Sequence, residues 1–318
     1  SVVSNVSCNG GTDGSASVSA SGGVAPYTGT GSFTGLAAGT YTYSVSDASG
    51  CTASCSVTIT EPAVLVATCS VTANVSCNGG SDGAASVSAS GGTAPYTGTG
   101  SFTGLAAGSY TYNVSDANGC TASCSVTITE PAVLVATCSV VSNVSCNGGS
   151  DGSASVSASG GTAPYTGTGS FTGLAAGSYT YNVSDANGCT ASCSVTITEP
   201  AVLVASCSVQ SNVTCNGGTD GSASVSASGG TAPYGGTGSF TGLAAGSYTY
   251  TVTDANGCTA SCSVTITEPA ALVATCSVVS NVSCNGGTDG SASVSASGGV
   301  APYTGTGSFT GLAAGTYT

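Results

Sequence analysis

Apolar and polar residues alternate with a period of two along most of this chain. From Leu65 to Cys77 every odd position is apolar or sulfur (Leu65, Ala67, Cys69, Val71, Ala73, Val75, Cys77), and the even positions are polar from Thr68 onward. Successive strand residues point to opposite faces, so the run predicts a half-buried strand with its odd positions inward. NGGSDG reads as a turn, and ASVSAS as a second strand with Ala85, Val87 and Ala89 inward. GGTAPY breaks the pattern, TGTGSF predicts a short or irregular strand, and GLAAG a corner. SYTYNVSD places Tyr110, Tyr112 and Val114 on one face; DANG turns it; TASCSVTIT places Ala122, Cys124, Val126 and Ile128 together. Glu-Pro then ends the series, because proline cannot continue a central ladder.

No stretch sustains a helical period. Roughly six or seven short strands with turn signals at sandwich-like spacing predict an all-β fold, a tandem array of small disulfide-stapled immunoglobulin-like β-sandwich domains. The run LAAGSY reads equally as a tyrosine corner, with the Tyr110 hydroxyl returning to the backbone, or as two tyrosines packing in the core.

The whole pattern recurs every 69 residues. VSCNGG or VTCNGG places Cys8, Cys77, Cys146, Cys215 and Cys284 at that constant spacing, and the acids, prolines and tyrosines follow the same period. A unit of this length is the size of a small autonomous domain rather than a solenoid coil. The expected domains are 1–62 (a repeat truncated at its N-terminal side), 63–131, 132–200, 201–269 and 270–318 (truncated at its C-terminal side). Both ends fall inside a repeat, so the chain reads as a window of a longer array. No apolar run is long enough to span a bilayer.

Composition then removes function classes. The 318 residues include no Lys, Arg, His, Met or Trp, and the formal charge is -13. Nothing here can neutralise phosphate, so nucleic acid is not an expected partner. Imidazole bases, Schiff-base lysines and arginine clamps are all missing, and no enzyme activity is expected.

Sulfur carries the chemistry that remains. Each complete unit holds four cysteines, for example Cys69, Cys77, Cys120 and Cys124, and alternation places all four inward. Inward sulfurs lack the access that redox exchange needs, and their spacing is not that of a zinc ribbon. Disulfides are the expectation for Cys8, Cys51, Cys77, Cys120, Cys146, Cys189, Cys215, Cys258, Cys69, Cys124, Cys138, Cys193, Cys207 and Cys262. A core built largely of Ala and Val needs such constraint, and a loop of the Cys77 to Cys120 size contributes roughly 4 kcal/mol. Oxidised sulfur implies an oxidising, extracellular setting.

Four cysteines allow three pairings. The preferred one joins Cys77 to Cys120 and Cys69 to Cys124. On straight strands, however, the first two cysteines lie about 26 Å apart and the last two about 13 Å. Either the first strand bends, or one bond joins neighbouring repeats, where the first turn of one domain abuts the last hairpin turn of the next.

The acids recur as Asp82, Asp116 and Glu130. Turn aspartates ordinarily accept backbone hydrogen bonds. The sharper reading is calcium at a domain junction, held by Asp13, Glu61 and Asp116; otherwise no cofactor is expected. Asn-Val-Ser or Asn-Val-Thr occurs at Asn5, Asn74, Asn143, Asn212 and Asn281, and again at Asn113 and Asn182; these sequons read first as strand and turn residues.

VSCNGGSDGSASVSASGGTAPY followed by GLAAGSYTYNVSDANGCTASCSVTITEP resembles the SprB repeats of very large surface adhesins in gliding and other Bacteroidetes bacteria. The resemblance covers each complete unit. It implies extracellular multi-domain proteins exported to the cell surface, some of them motility adhesins. It also implies that Cys77 and Cys120 fall on the family's usual cysteine positions, while Cys69 and Cys124 are additional. The sequence departs from the family where TGTGSF replaces an aromatic-rich strand. The functional expectation is an extracellular structural repeat protein forming a long surface fibre, stalk or adhesin shaft. Its alternative is a carbohydrate- or surface-binding adhesin module. Expected partners are neighbouring repeats, identical chains in a filament, and polysaccharide or other external surfaces.

Overall fold

The computed structural model describes residues 1–318 and contains 23 strands and no helix. The first two series are β1 (Val2–Ser4), β2 (Gly14–Val18), β3 (Gly31–Leu36), β4 (Gly39–Ser46) and β5 (Thr52–Ile59), then β6 (Val66–Ala73), β7 (Gly83–Ser90), β8 (Gly100–Leu105), β9 (Gly108–Ser115) and β10 (Thr121–Ile128). The series starts again at Val135, at Val204 and, for three strands, at Val273. Two compact units are separable: residues 1–137, 157–168 and 181–193, and residues 138–156, 169–180 and 194–318.

In the first unit, β6, β7 and β8 make an antiparallel three-stranded sheet, and β9 with β10 makes a two-stranded hairpin. Their inner faces meet around buried Val75, Ala85, Val126 and Ile128, with Cys69, Leu105, Tyr110 and Tyr112 packed against them. Alternation predicted these inward positions because residue parity on a strand fixes the face. The second unit repeats the arrangement with Val213, Ala223 and Ile266 at its centre. This is a small two-sheet β-sandwich, and the chain is an all-β tandem array of them.

Each complete series has five strands, fewer than expected. The TGTGSF run supplies a named strand only from Gly100; before it, Thr97 makes a single antiparallel bridge to Ser115 of β9 and Gly98 bends the chain away. Tyr110 forms the corner: its hydroxyl donates to the Ala106 carbonyl at 3.0 Å, and Tyr179 and Tyr248 do the same to Ala175 and Ala244. Glycine is required where β7 begins. A Cβ on Gly83 would lie 2.6 Å from Ile128 Cγ2 and 2.7 Å from the Leu105 carbonyl oxygen.

The expected strand from Leu65 to Cys77 is shorter than its alternation. Its register with β7 shifts between Val71 and Ala73, and the strand ends there. Asn74 then bridges to β10 by accepting the Thr129 amide at 3.0 Å, and the Val75 amide donates to the Thr129 carbonyl. Cys77 therefore lies in a loop, not on an inward strand face. Cys120 likewise lies in the β9–β10 turn.

Candidate functional site

The Cys-Asn-Gly-Gly loop is built from the backbone outward. The Gly80 amide donates to the Cys77 carbonyl, closing a tight turn. Asp82 Oδ1 accepts the Ser76 amide at 3.0 Å. The Ser76 hydroxyl and amide hold the Asp82 carboxyl below its ordinary pKa. Glu130 reaches the loop from the far end of the same repeat, taking the Gly79 amide at 2.7 Å and the Asn78 amide group at 3.0 Å. The glutamate before proline thus fastens the loop to the linker that follows β10.

The facing element is the β9–β10 turn, organised by Asp116. This carboxylate is buried, at 6% exposure. Its Oδ1 accepts the Asn118 and Cys120 amides, and its Oδ2 accepts the Thr93 amide, all at 2.9 Å. Burial pushes the Asp116 carboxyl up, but the amides of Thr93, Cys120, Asn118 and Gly119 together outweigh it and leave its pKa lowered. Gly92, at φ +56°, brings the neighbouring loop so close that a Cβ there would lie 2.6 Å from Asp116 Oδ2.

Loop and turn from successive repeats meet. Within the first unit, Cys8 bonds to Cys120 and Cys77 bonds to Cys189, each with Cα atoms 5.7 Å apart and a sequence separation of 112. Within the second unit Cys146 bonds to Cys258 in the same way. A side-chain amide accompanies each bond: Asn118 donates to the Ser7 carbonyl, Asn187 to Ser76 and Asn256 to Ser145, all at 2.9 Å. A second kind of bond staples the two sheets of one repeat, Cys69 to Cys124 and Cys207 to Cys262, at a separation of 55. Cys138 and Cys193 are also disulfide-bonded.

These bonds keep one half of the preferred pairing, Cys69 with Cys124, and replace the other by the alternative of a bond between neighbouring repeats. Cys77 does not reach Cys120, because the early end of β6 sends the loop to the edge of the sandwich, where the next repeat's turn lies. Cys51 and Cys215, both named as disulfide candidates, are exposed free thiols, as are Cys55, Cys276 and Cys284. The partner positions that the 112- and 55-residue offsets would give these five fall outside residues 1–318. Asn118 went unnoticed in the sequence. Its only signal is that repeat 1 has Ser49 at the equivalent place, beside unbonded Cys51.

Asp13, Glu61 and Asp116 are each committed to backbone donors. Asp13 accepts the Ser7 amide at 3.0 Å and Glu61 the Gly10 amide at 2.5 Å. No group of three or more His, Cys, Asp or Glu side chains is arranged to hold a cation. The expected junction calcium site is not assembled here, since the same oxygens already serve as turn acceptors.

A search of curated proteins finds no match. Among solved structures, the crystal structure of Down Syndrome Cell Adhesion Molecule (DSCAM) isoform 1.30.30, N-terminal eight Ig domains, is similar at 11% identity and a TM-score of 0.24. That similarity covers 84% of this chain and 56% of the other, so the chain spans little more than half of its length. Comparison with protein families matches the SprB repeat at residues 1–28, 69–97, 138–166, 207–235 and 276–304. The last four matches begin at the cysteine midway along the first strand of a series, as at Cys69, and all five run through the cysteine loop to the residue after Ala-Pro-Tyr. The chain is similar to the SprB repeat at these five tandem positions, whose ends recur at the same 69-residue period as the cysteines.

Proposed function

We propose that the chain is the structural shaft of an extracellular adhesin-type protein, a long surface fibre or stalk displayed at the cell surface. One observation carries the reading: disulfides join a repeat to its successor, as Cys77 to Cys189 does, instead of closing each repeat on itself. A bond of that kind forms and persists in an oxidising compartment outside the cytosol. It also couples neighbours, which is useful where the whole array must act as one strand. SprB repeats and immunoglobulin-like sandwiches are non-enzymatic kinds of domain, in keeping with a structural role. No helix is long and apolar enough to cross a membrane.

The test is localisation with redox state. Antibody labelling of intact cells should decorate the exterior, and thiol-trapping before lysis should find the junction cysteines oxidised. Labelling only after permeabilisation, with all thiols free, would refute the proposal.

A second reading has its own observation. The outward face of β9 and β10 is lined by hydroxyls and an amide, including Ser109, Thr111, Asn113, Ser123, Ser125 and Thr127, with Ser109 and Thr127 3.1 Å apart. Such a face suits hydrogen bonding to polysaccharide. A glycan array probed with the full chain decides it, since silence across the array leaves the structural role alone.

A further inference from the structure

The bonds between repeats close loops that overlap. Cys8–Cys120 encloses residues 8 to 120, Cys77–Cys189 encloses 77 to 189, and Cys146–Cys258 encloses 146 to 258. Each loop opens 43 residues before its predecessor closes. Every peptide bond from Cys8 to Cys258 therefore lies within at least one disulfide loop. Bonds inside single repeats cannot achieve this. The Cys69–Cys124 loop ends before the linker that follows β10, and the Cys207–Cys262 loop begins after the next one.

The linkers are the places where a tandem chain is ordinarily cut. No strand covers the stretch between Ile128 and Val135, and Thr129, Glu130, Ala132 and Val133 are exposed. The equivalent stretch after Ile59 lies inside the first loop, the one after Ile128 inside the second, and the one after Ile197 inside the third. With no Lys or Arg anywhere, the relevant proteases are those that cleave beside small apolar residues.

We infer that the overlapping disulfides make this chain a cut-tolerant tether, in which hydrolysis of any single peptide bond between Cys8 and Cys258 leaves the two parts covalently joined. Each cut consumes one water and creates one carboxylate and one amine. Tension across the broken linker then passes through sulfur. The inference rests on the extracellular reading, because only oxidised cysteines close the loops.

A protease recognition sequence inserted between Ala132 and Val133 of the full chain tests it. After complete cleavage, a denaturing gel without reductant should show one species of undiminished mass, and reductant should split it in two. Two species without reductant would overturn the inference. Only the Cys77–Cys189 bond is expected to span that site, so the variant combining Cys77→Ser and Cys189→Ser should separate without reductant; if it stays joined, the assignment is wrong. A second recognition sequence between Pro62 and Ala63, spanned by Cys8–Cys120, repeats the test in the unmutated chain should the serine variant fold poorly. Thiol titration separates the two failures. A chain with all thiols free defeats the functional reading as well, whereas an oxidised chain that falls apart on one cut defeats this inference alone.

Discussion

Removing one staple within a repeat should expose how much of the sandwich's stability comes from sulfur. Replacing Cys69 and Cys124 together by alanine opens a loop of 55 residues. In the chain-entropy model that restores freedom to the unfolded state equivalent to about 4 kcal/mol. The 112-residue bonds come to about 5 kcal/mol by the same relation, because doubling a loop adds only about 0.6 kcal/mol. The two kinds of bond thus differ little in entropy and greatly in topology. A global melt would blur the result, since coupled repeats need not unfold in one step. Hydrogen exchange resolves single strands, and repeat 4 serves as an internal reference with Cys207–Cys262 intact. Amides in β9 and β10 should exchange roughly a thousandfold faster than those in Gly246–Thr253 and Thr259–Ile266, given tenfold per 1.4 kcal/mol. If the two repeats stay within tenfold of each other, the staple contributes little and the argument that the core needs it is wrong.

Two tyrosines on one face of β9 should respond in opposite ways. Tyr110→Phe loses the corner hydrogen bond and should cost about 1 kcal/mol. Tyr112→Phe should be neutral or stabilising, because its buried hydroxyl has no hydrogen-bond partner; denaturant midpoints check both. Gly83→Ala should cost about 1–3 kcal/mol by forcing Ile128 and the Leu105 carbonyl apart, read by the same midpoints. The pKa of Asp116 is lowered in the folded chain, so its contribution is present above the unfolded carboxyl value near about 4 and is lost as pH falls through the folded value. Asp116→Asn should therefore flatten the acid limb of a melting-temperature profile, and a parallel limb in both proteins would contradict the sign.

The sequence by itself settled whatever depends on parity and period. Ala85, Val87, Val114, Val126 and Ile128 are buried as their alternation requires, because a pleated strand leaves a side chain only two faces. The corner before Tyr110 and the recurrence every 69 residues were legible for the same local reason. Parity says which face a residue takes, but not where its strand stops. The register shift after Val71 ends β6 before Cys77, carries that sulfur to the edge of the sandwich and presents it to the next repeat. The partners of the acids were decided at the same level. The sequence already reads the turn aspartates as backbone acceptors, but not for which amides: Asp116 and Glu130 take donors brought close from residues distant in the chain, such as Thr93 and Gly79. Which sulfur meets which is likewise a property of two loops in space: the spacings within one repeat leave open a bent strand or a bond to the neighbouring repeat, and only the packing of neighbouring sandwiches decides between them.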